Sequence, residues 1–320
     1  MVEILLFNQN PWLDLEFAKA SGWREPVDDC QVISLCQRTN VRRSPVWNPS
    51  QKCRPKSNPQ FIFQGLMMTT TSTDSQQPLA GQTALITGGG RGIGRAIATA
   101  YAKAGANVCV TARTGSEIEQ VVAEIQAAGG RAVAVTCDVS DRASVESMIE
   151  QTIQQLGRLD ILVNNAGGGL ERTLVGEDDP DVWQSVIEIN LLGTYFCTRA
   201  ALPHLKSDGG GRIINIGSGM GHQPRAKNSS YNVAKAGVWM LTRCLSLELW
   251  EDGITVNELI PGPVYTELTA DIFPKDQAHP GISSEWVKDP ADVVPLALML
   301  ATQSDKGPTG QSFSLARRPL

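Results

Sequence analysis

The chain has 320 residues, 42% of them apolar and 19% charged, with 30 glycines, 18 prolines and a formal charge of −5. This ordinary globular composition excludes collagen, wholesale disorder and a membrane bundle, and no apolar run approaches the roughly 18 residues of a spanning helix. The mild acidity, with a pI near 5.4, speaks against nucleic acid as a partner, which would need a basic face, and leaves small-molecule chemistry as the expectation.

Residues 1–78 hold 7 of the 18 prolines and 3 of the 7 tryptophans but 2 of the 30 glycines, so they differ in kind from residues 79–320. Val41 to Gln60 mixes Arg42, Arg43, Lys52, Arg54 and Lys56 with Pro45, Pro49, Pro55 and Pro59, and Thr69 to Gln77 is polar; neither offers a periodic face to bury. A disordered extension is expected, with a basic docking tail and a true start at Met67 or Met68 as the other readings. Met1 to Phe17 carries Glu3, Asp14 and Glu16 but no Lys or Arg, unlike a signal or transit peptide. The seven cysteines, at 30, 36, 53, 109, 137, 197 and 244, form no CxxC pair, and His204, His222 and His279 show no metal spacing. Reduced thiols, a cytoplasmic location and no metal are expected.

From Leu79 onward, short Val- and Ile-rich runs alternate with amphipathic stretches. Strands are predicted at Thr83 to Thr87, Asn107 to Ala112, Ala132 to Thr136, Ile161 to Asn164, Arg212 to Ile216, Thr255 to Ile260 and Gln311 to Leu315. Between them, Ile118, Val121, Val122 and Ile125 recur at helical spacing, as do Val145, Met148, Ile149 and Thr152, then Trp183, Val186, Ile187 and Asn190. The alternation predicts one α/β domain over residues 79–320: a Rossmann-type, doubly wound, seven-stranded parallel sheet that binds ligands at the carboxyl ends of its strands.

The first strand runs straight into Thr87-Gly88-Gly89-Gly90-Arg91-Gly92-Ile93-Gly94 and a helix. Glycines let the backbone turn tightly against a pyrophosphate, and the helix N-terminus offers free N–H groups to it. A tight connection alone would look similar. The second strand ends in Ala112-Arg113, where NAD binders place a carboxylate for the adenosine ribose. Without that anion, Arg113 and Arg91 suit a 2′-phosphate, so NADP(H) is expected over NAD(H); two solvent-facing arginines are the alternative.

Ser218 follows the fifth strand, and Tyr231 and Lys235 lie four apart, on one face of a helix. A phenol titrates near 10, and a neighbouring ammonium favours its ionised form, so Lys235 is expected to make Tyr231 a usable acid or base. Asn190, on the apolar stripe of its helix, needs partners: a structural network, or a water linking Lys235 to solvent.

Together these stretches resemble the short-chain dehydrogenases/reductases of standard length. The matching residues are Thr87 to Gly94, Cys137-Asp138-Val139, Asn164-Asn165-Ala166-Gly167, Asn190, Ser218, Tyr231 to Lys235, and Pro261-Gly262-Pro263-Val264 with Thr266. The resemblance implies that Asp138 and Val139 touch adenine, that Asn165, Ala166 and Gly167 line the cofactor cleft, and that Pro261, Gly262, Val264 and Thr266 hold the nicotinamide carboxamide. It further implies Tyr231 as proton donor, Lys235 on the nicotinamide ribose, Ser218 polarising a carbonyl, and Asn190 anchoring a relay water. A homotetramer through the helices carrying Asn190 and Tyr231, and a lid at about residues 265–288, are implied too. The lid segment holds Leu268, Ile272, Phe273 and Trp286 beside Glu267, Asp271, Lys275 and His279.

The pattern is similar to 3-oxoacyl-acyl-carrier-protein reductases, which often place basic residues before the fifth strand and before the glycine opening the sixth. Here Gly209 and Gly210 stand at the first place and Glu251-Asp252 at the second, which would repel an acidic carrier. A free carbonyl or secondary alcohol is therefore the expected substrate, with Met220, Gln223 and Arg225 as candidates to face it. The fold is also reused for regulation, so a non-catalytic dinucleotide-binding regulator is the reading from another class. An epimerase or dehydratase would need a further C-terminal domain, for which no room is expected. The ending, Ser314 to Leu320, departs from the glycine-rich tail of relatives.

Overall fold

The computed structural model describes residues 77–169, 172–207, 209–273 and 284–319. Expectations for residues 1–76, and for Lys275 and His279, lie outside the described residues. Seven strands form one parallel sheet: β1 (Thr83–Thr87), β2 (Asn107–Ala112), β3 (Arg131–Thr136), β4 (Ile161–Asn164), β5 (Gly211–Ile216), β6 (Ile254–Ile260) and β7 (Ser312–Ser314). Their order is β3-β2-β1-β4-β5-β6-β7, so the direction of winding reverses between β1 and β4. All seven predicted strands are present: β1, β2 and β4 at the predicted bounds, β3, β5 and β6 starting one residue earlier, and β7 shortened to three residues.

Helices cover both faces. On one side α1 (Gly92–Lys103), α2 (Gly115–Ala127) and α7 (Val294–Ala301) pack Ile97, Tyr101, Ile118, Val121, Ile125 and Leu300 onto Ile86, Val110 and Ile214. On the other, α3 (Arg142–Leu156), α5 (Gly193–Ser207) and α6 (Ser229–Leu249) pack Met148, Ile149, Cys197, Leu205 and Leu245 onto Leu85, Leu162, Ile213 and Val256. Strands sandwiched this way need apolar residues on both faces, which is why β1 and β6 are buried along their whole length. Among the described residues no helix is long and apolar enough to cross a membrane.

Two polar devices set strand positions. At the amino edge of the sheet, Asp160 accepts the Thr83 N–H at 2.8 Å and is gripped by the Arg158 guanidinium at 2.6 Å, tying β4 to β1. In the interior, Asn164 donates to Thr198 at 3.0 Å and to Asn215 at 2.9 Å, and Asn215 donates to Thr242 at 2.9 Å. That buried chain fixes α5 and α6 against β4 and β5 under the carboxyl edge, where an unpaired amide would be costly.

One expected helix is irregular. α4 (Pro180–Ile187), capped by Asp179, passes into a π-helical turn, Glu188–Leu192, before α5. The wide turn lies across the end of the stripe that a 3.6-residue period predicted, and it carries Asn190.

Candidate active site

A cleft of about 360 Å3 opens along the carboxyl edge of the sheet, beside the reversal in winding. Of the residues selected from sequence it is lined by Gly88, Arg91, Gly92, Ile93, Arg113, Asp138, Val139, Asn165, Ala166, Gly167, Asn190, Tyr231, Lys235, Pro261, Gly262, Val264 and Thr266. Gly94 is buried and not part of the wall, and Ser218 is part-exposed between two lining residues, Gly217 and Gly219.

The glycine turn is held by backbone contacts. Gly88 is at φ 63°, and a Cβ there would come within 2.9 Å of the Ala166 Cα. A Cβ on Gly94 would overlap the Gly88 carbonyl oxygen and crowd the Asn165 amide. That amide donates to the Thr87 and Gly88 carbonyls at 2.9 and 3.0 Å, while the Thr87 hydroxyl accepts from the N–H groups of Asn165 and Ala166, both at 3.0 Å. The turn after β1 and the turn after β4 thus brace each other.

Asp141 and Asp179 cap α3 and α4, whereas the N-cap of α1, Arg91, makes no side-chain bond and no acidic residue stands in its first turn. No side chain caps this end and Gly92 and Ile93 line the cleft, so the first turn is open to an anion. The crowded glycines and the open helix end together fit a dinucleotide pyrophosphate. Beside the turn, Arg91 and Arg113 are exposed on the cleft wall. Asp138 accepts from the Ser140 hydroxyl at 2.7 Å, which with nearby Arg113 holds its carboxyl below the ordinary range. Glu117 also lines this end, with its Cβ 2.9 Å from where a Gly90 Cβ would lie. No sequence pattern singles it out, because its reach depends on how α2 leaves β2.

At the other end, Lys235 is buried and donates to the Ile216 carbonyl at 2.8 Å, with Nζ 5.7 Å from the centroid of the Tyr231 ring. Burial pulls the Lys235 ammonium down to about 8, against the pull of Glu258, whose negative charge favours the proton. Burial pushes the Tyr231 phenol above 10, and the opposing influence is its hydrogen bond with Ser218. The acidifying contact on Tyr231 is thus the Ser218 hydrogen bond, and the lysine that the helical spacing singled out stands beside the ring without lowering the phenol.

Asn190 is fully buried. Its amide donates to the carbonyls of Gly168 at 2.8 Å and Val186 at 2.9 Å and accepts from the Gly168 N–H at 3.3 Å, so the network reading describes the contacts seen. A Cβ on Gly167 would lie 2.6 Å from the Asn190 Oδ1 and 3.6 Å from the Lys235 Nζ, so the amide and the ammonium both border the space that this glycine leaves open.

Of the three loop candidates Met220 and Arg225 line the cleft, Arg225 as an exposed loop residue, and Gln223 does not; Leu268 and Phe273 line it too. The chain end contributes unexpectedly: Ala316 and Arg318 lie in the wall, and Arg318 pairs with the buried Glu285 at 3.2 Å and donates to Gln223 at 2.6 Å. Gly210, at φ 126°, owes its identity to packing, since a Cβ would meet the Gly253 carbonyl at 2.5 Å; Asp252 is paired with Lys206 at 2.6 Å. Among the described residues no cluster could hold a metal ion.

This fold and cleft are those of a nicotinamide-dependent oxidoreductase, and the chain belongs to the short chain dehydrogenase family, whose model matches residues 82–277. It is 35% identical over 254 residues to a short chain dehydrogenase/reductase, astE, of Aspergillus oryzae, across 77% of this chain and 97% of that protein. It is 40% identical over 195 residues to a 3-oxoacyl-[acyl-carrier-protein] reductase of Synechocystis, across 61% and 78%. A solved structure from Beutenbergia cavernae, described as an NAD(P) dependent gluconate 5-dehydrogenase with NADP bound at low occupancy, is 34% identical with a TM-score of 0.67, covering 76% of this chain and 98% of that one. The chain is an oxidoreductase of the alcohol and carbonyl class.

Proposed function

We propose that the protein transfers a hydride between NADP(H) and a small carbonyl or secondary alcohol, with Tyr231 as the acid/base. The observation that carries this is the placement of Tyr231 and Lys235, one turn apart on α6, in the same cleft as the glycine turn and its open helix end. The dinucleotide supplies or takes up the hydride when bound. Tyr231 gives its proton to the substrate oxygen as negative charge grows there, or takes it back in oxidation. Ser218 steadies the same oxygen and the phenol. Lys235 holds positive charge beside the phenol and bonds the nicotinamide ribose, while Asn190 fixes the π-helical turn against Gly168 and anchors the water that resupplies the proton.

Arg91 and Arg113 favour NADP(H), because two guanidinium forks on the cleft wall suit a 2′-phosphate even with the Glu117 and Asp138 carboxylates at that end. Asp138 and Val139 take the adenine, and Pro261 to Thr266 the carboxamide. Of the lid segment 265–288, residues 274–283 lie outside the described residues, and Leu268 and Phe273 of its first part line the cleft. Exposed Leu192 in the π-helical turn and Tyr195 on α5, with Val233, Met240 and Leu247 on α6, support association into a tetramer through these helices. The buried, unpaired Cys109, Cys137 and Cys197 support a reducing, cytoplasmic setting.

The test is a panel of carbonyls and alcohols followed at the reduced-nicotinamide absorbance with both dinucleotides. Turnover that prefers NADPH is expected; tight dinucleotide binding with no turnover on any member would favour a regulator. The Synechocystis relative keeps carrier-bound substrates in view, yet Glu251 remains an exposed acid where an acidic carrier would dock. Comparing a 3-oxoacyl chain free and carrier-bound separates the two, and the higher kcat/KM is expected for the free form.

A further inference from the structure

Glu258 is an oddity of this molecule. It sits mid-strand in β6 with no exposure, where its neighbours Val256, Leu259 and Ile260 are apolar. One carboxylate oxygen is held by the His222 Nε2 at 2.9 Å and the Ser312 hydroxyl at 2.5 Å. The other finds no hydrogen-bond partner among the described residues and lies where a Cβ of Gly217 would be. Gly217 lines the cleft between Ile216, whose carbonyl receives Lys235, and Ser218. The free oxygen thus abuts the strip of backbone that joins the anchors of Lys235 and Tyr231.

The residues around it are tied to the same helix turn. The backbone at Gly221 is pressed against α6, where a Cβ would come within 2.8 Å of the Lys235 carbonyl. The His222 ring packs on Trp239, one turn beyond Lys235, at 4.9 Å between centroids. The titratable groups near the Glu258 carboxylate are His222, bonded to it from the turn after β5, and Lys235 of α6, which is held on the Ile216 carbonyl next to Gly217 and feels the Glu258 charge; β7 adds the uncharged Ser312. Burying a carboxylate with one oxygen unsatisfied is costly unless its charge serves something nearby.

We propose that Glu258, clamped by His222 and Ser312 behind Gly217, is a positioning residue that keeps Lys235 protonated and thereby keeps Tyr231 usable across the neutral range. This rests on the reading of Tyr231 and Lys235 as the proton-transfer pair. A buried ammonium tends to shed its proton, and Lys235 already does so near 8. The Glu258 charge opposes that loss without touching the substrate. A part that was merely structural would move stability but not the titration of a group on another element.

The experiment is Glu258→Gln, which keeps shape and removes charge, read in two ways. Competitive acetylation with acetic anhydride and mass spectrometry titrates Lys235 with no substrate present, and the alkaline limb of kcat is measured where turnover is found. Expected is a Lys235 midpoint lower by about one pH unit or more, with the alkaline limb of kcat moving the same way. Ser312→Ala, which loosens the clamp and leaves the carboxylate in place, is expected to move both in the same direction by less; it carries the test if Glu258→Gln does not fold. Titrations that superimpose on the wild type, or a lowered melting temperature with an unmoved Lys235 midpoint, would overturn the proposal. Absence of turnover in the wild type would instead count against the oxidoreductase reading, and the labelling result would still stand alone.

Discussion

At the glycine-turn end of the cleft the wall is backbone: Gly88, Gly94 and Ala166 meet at distances that leave no room for a Cβ, and the ligands on offer are N–H groups of α1. At the opposite end the wall is side chains drawn from separate elements, Ser218 after β5, Tyr231 and Lys235 on α6, Glu258 on β6 and, behind them, Ser312 on β7. The first end is set by volume, and the N–H groups it offers do not titrate. The second is set by charge as well as volume, since a Cβ on Gly217 would fall on the Glu258 carboxylate. Mutations should therefore fail for different reasons at the two ends.

The sharpest break is expected from Gly94→Val, whose branched side chain would overlap the Gly88 carbonyl and the Asn165 amide. Overpacking of this kind costs about 1–3 kcal/mol, and dinucleotide affinity, measured by quenching of protein fluorescence, should drop at least about tenfold, or 1.4 kcal/mol. Next comes Arg113→Ala. Loss of one charge-assisted bond is expected to raise KM for NADPH about tenfold or more while leaving KM for NADH almost unmoved; equal changes in both would remove Arg113 from phosphate recognition.

The charge-set end is expected to respond to pH instead. Lys235 is depressed to about 8, so it is protonated below that value and neutral above it. Turnover should accordingly fall as pH rises through about 8, measured at saturating dinucleotide. The linkage has the opposite sign for stability: between about 8 and the unfolded value of 10.5 the unfolded chain binds more protons, so this group's contribution to stability increases with pH there. The smallest effect on catalysis is expected from Asp160→Ala at the amino edge, far from the cleft. It orphans the Thr83 N–H and should cost about 1–3 kcal/mol in denaturant unfolding, with kcat unchanged.

What the sequence made legible divides along the same line. Seven strands, the open glycine turn and the Tyr231–Lys235 spacing are local patterns, and local patterns survive without coordinates. Glu258 was visible as an acid inside the run Thr255 to Ile260, yet its partners lie far away in sequence, at His222 and Ser312, and only the sheet register brings them together. The helical period placed Asn190 inward, where it is buried, but gave no sign of the π-helical turn at Glu188–Leu192 that carries it. Arg318 looked like part of an atypical ending until its pairing with the buried Glu285 showed it to be part of the cleft wall.

The central claim is that Tyr231 passes the proton in the cleft that holds the dinucleotide. Single-turnover transfer of deuterium from 4-deuterated NADPH to an accepted carbonyl, in the wild type and in Tyr231→Phe, tests it most directly. The wild type should place the label on the carbinol carbon, and Tyr231→Phe should bind NADPH but transfer about 10²–10⁴ times more slowly. Transfer by Tyr231→Phe at the wild-type rate would contradict it.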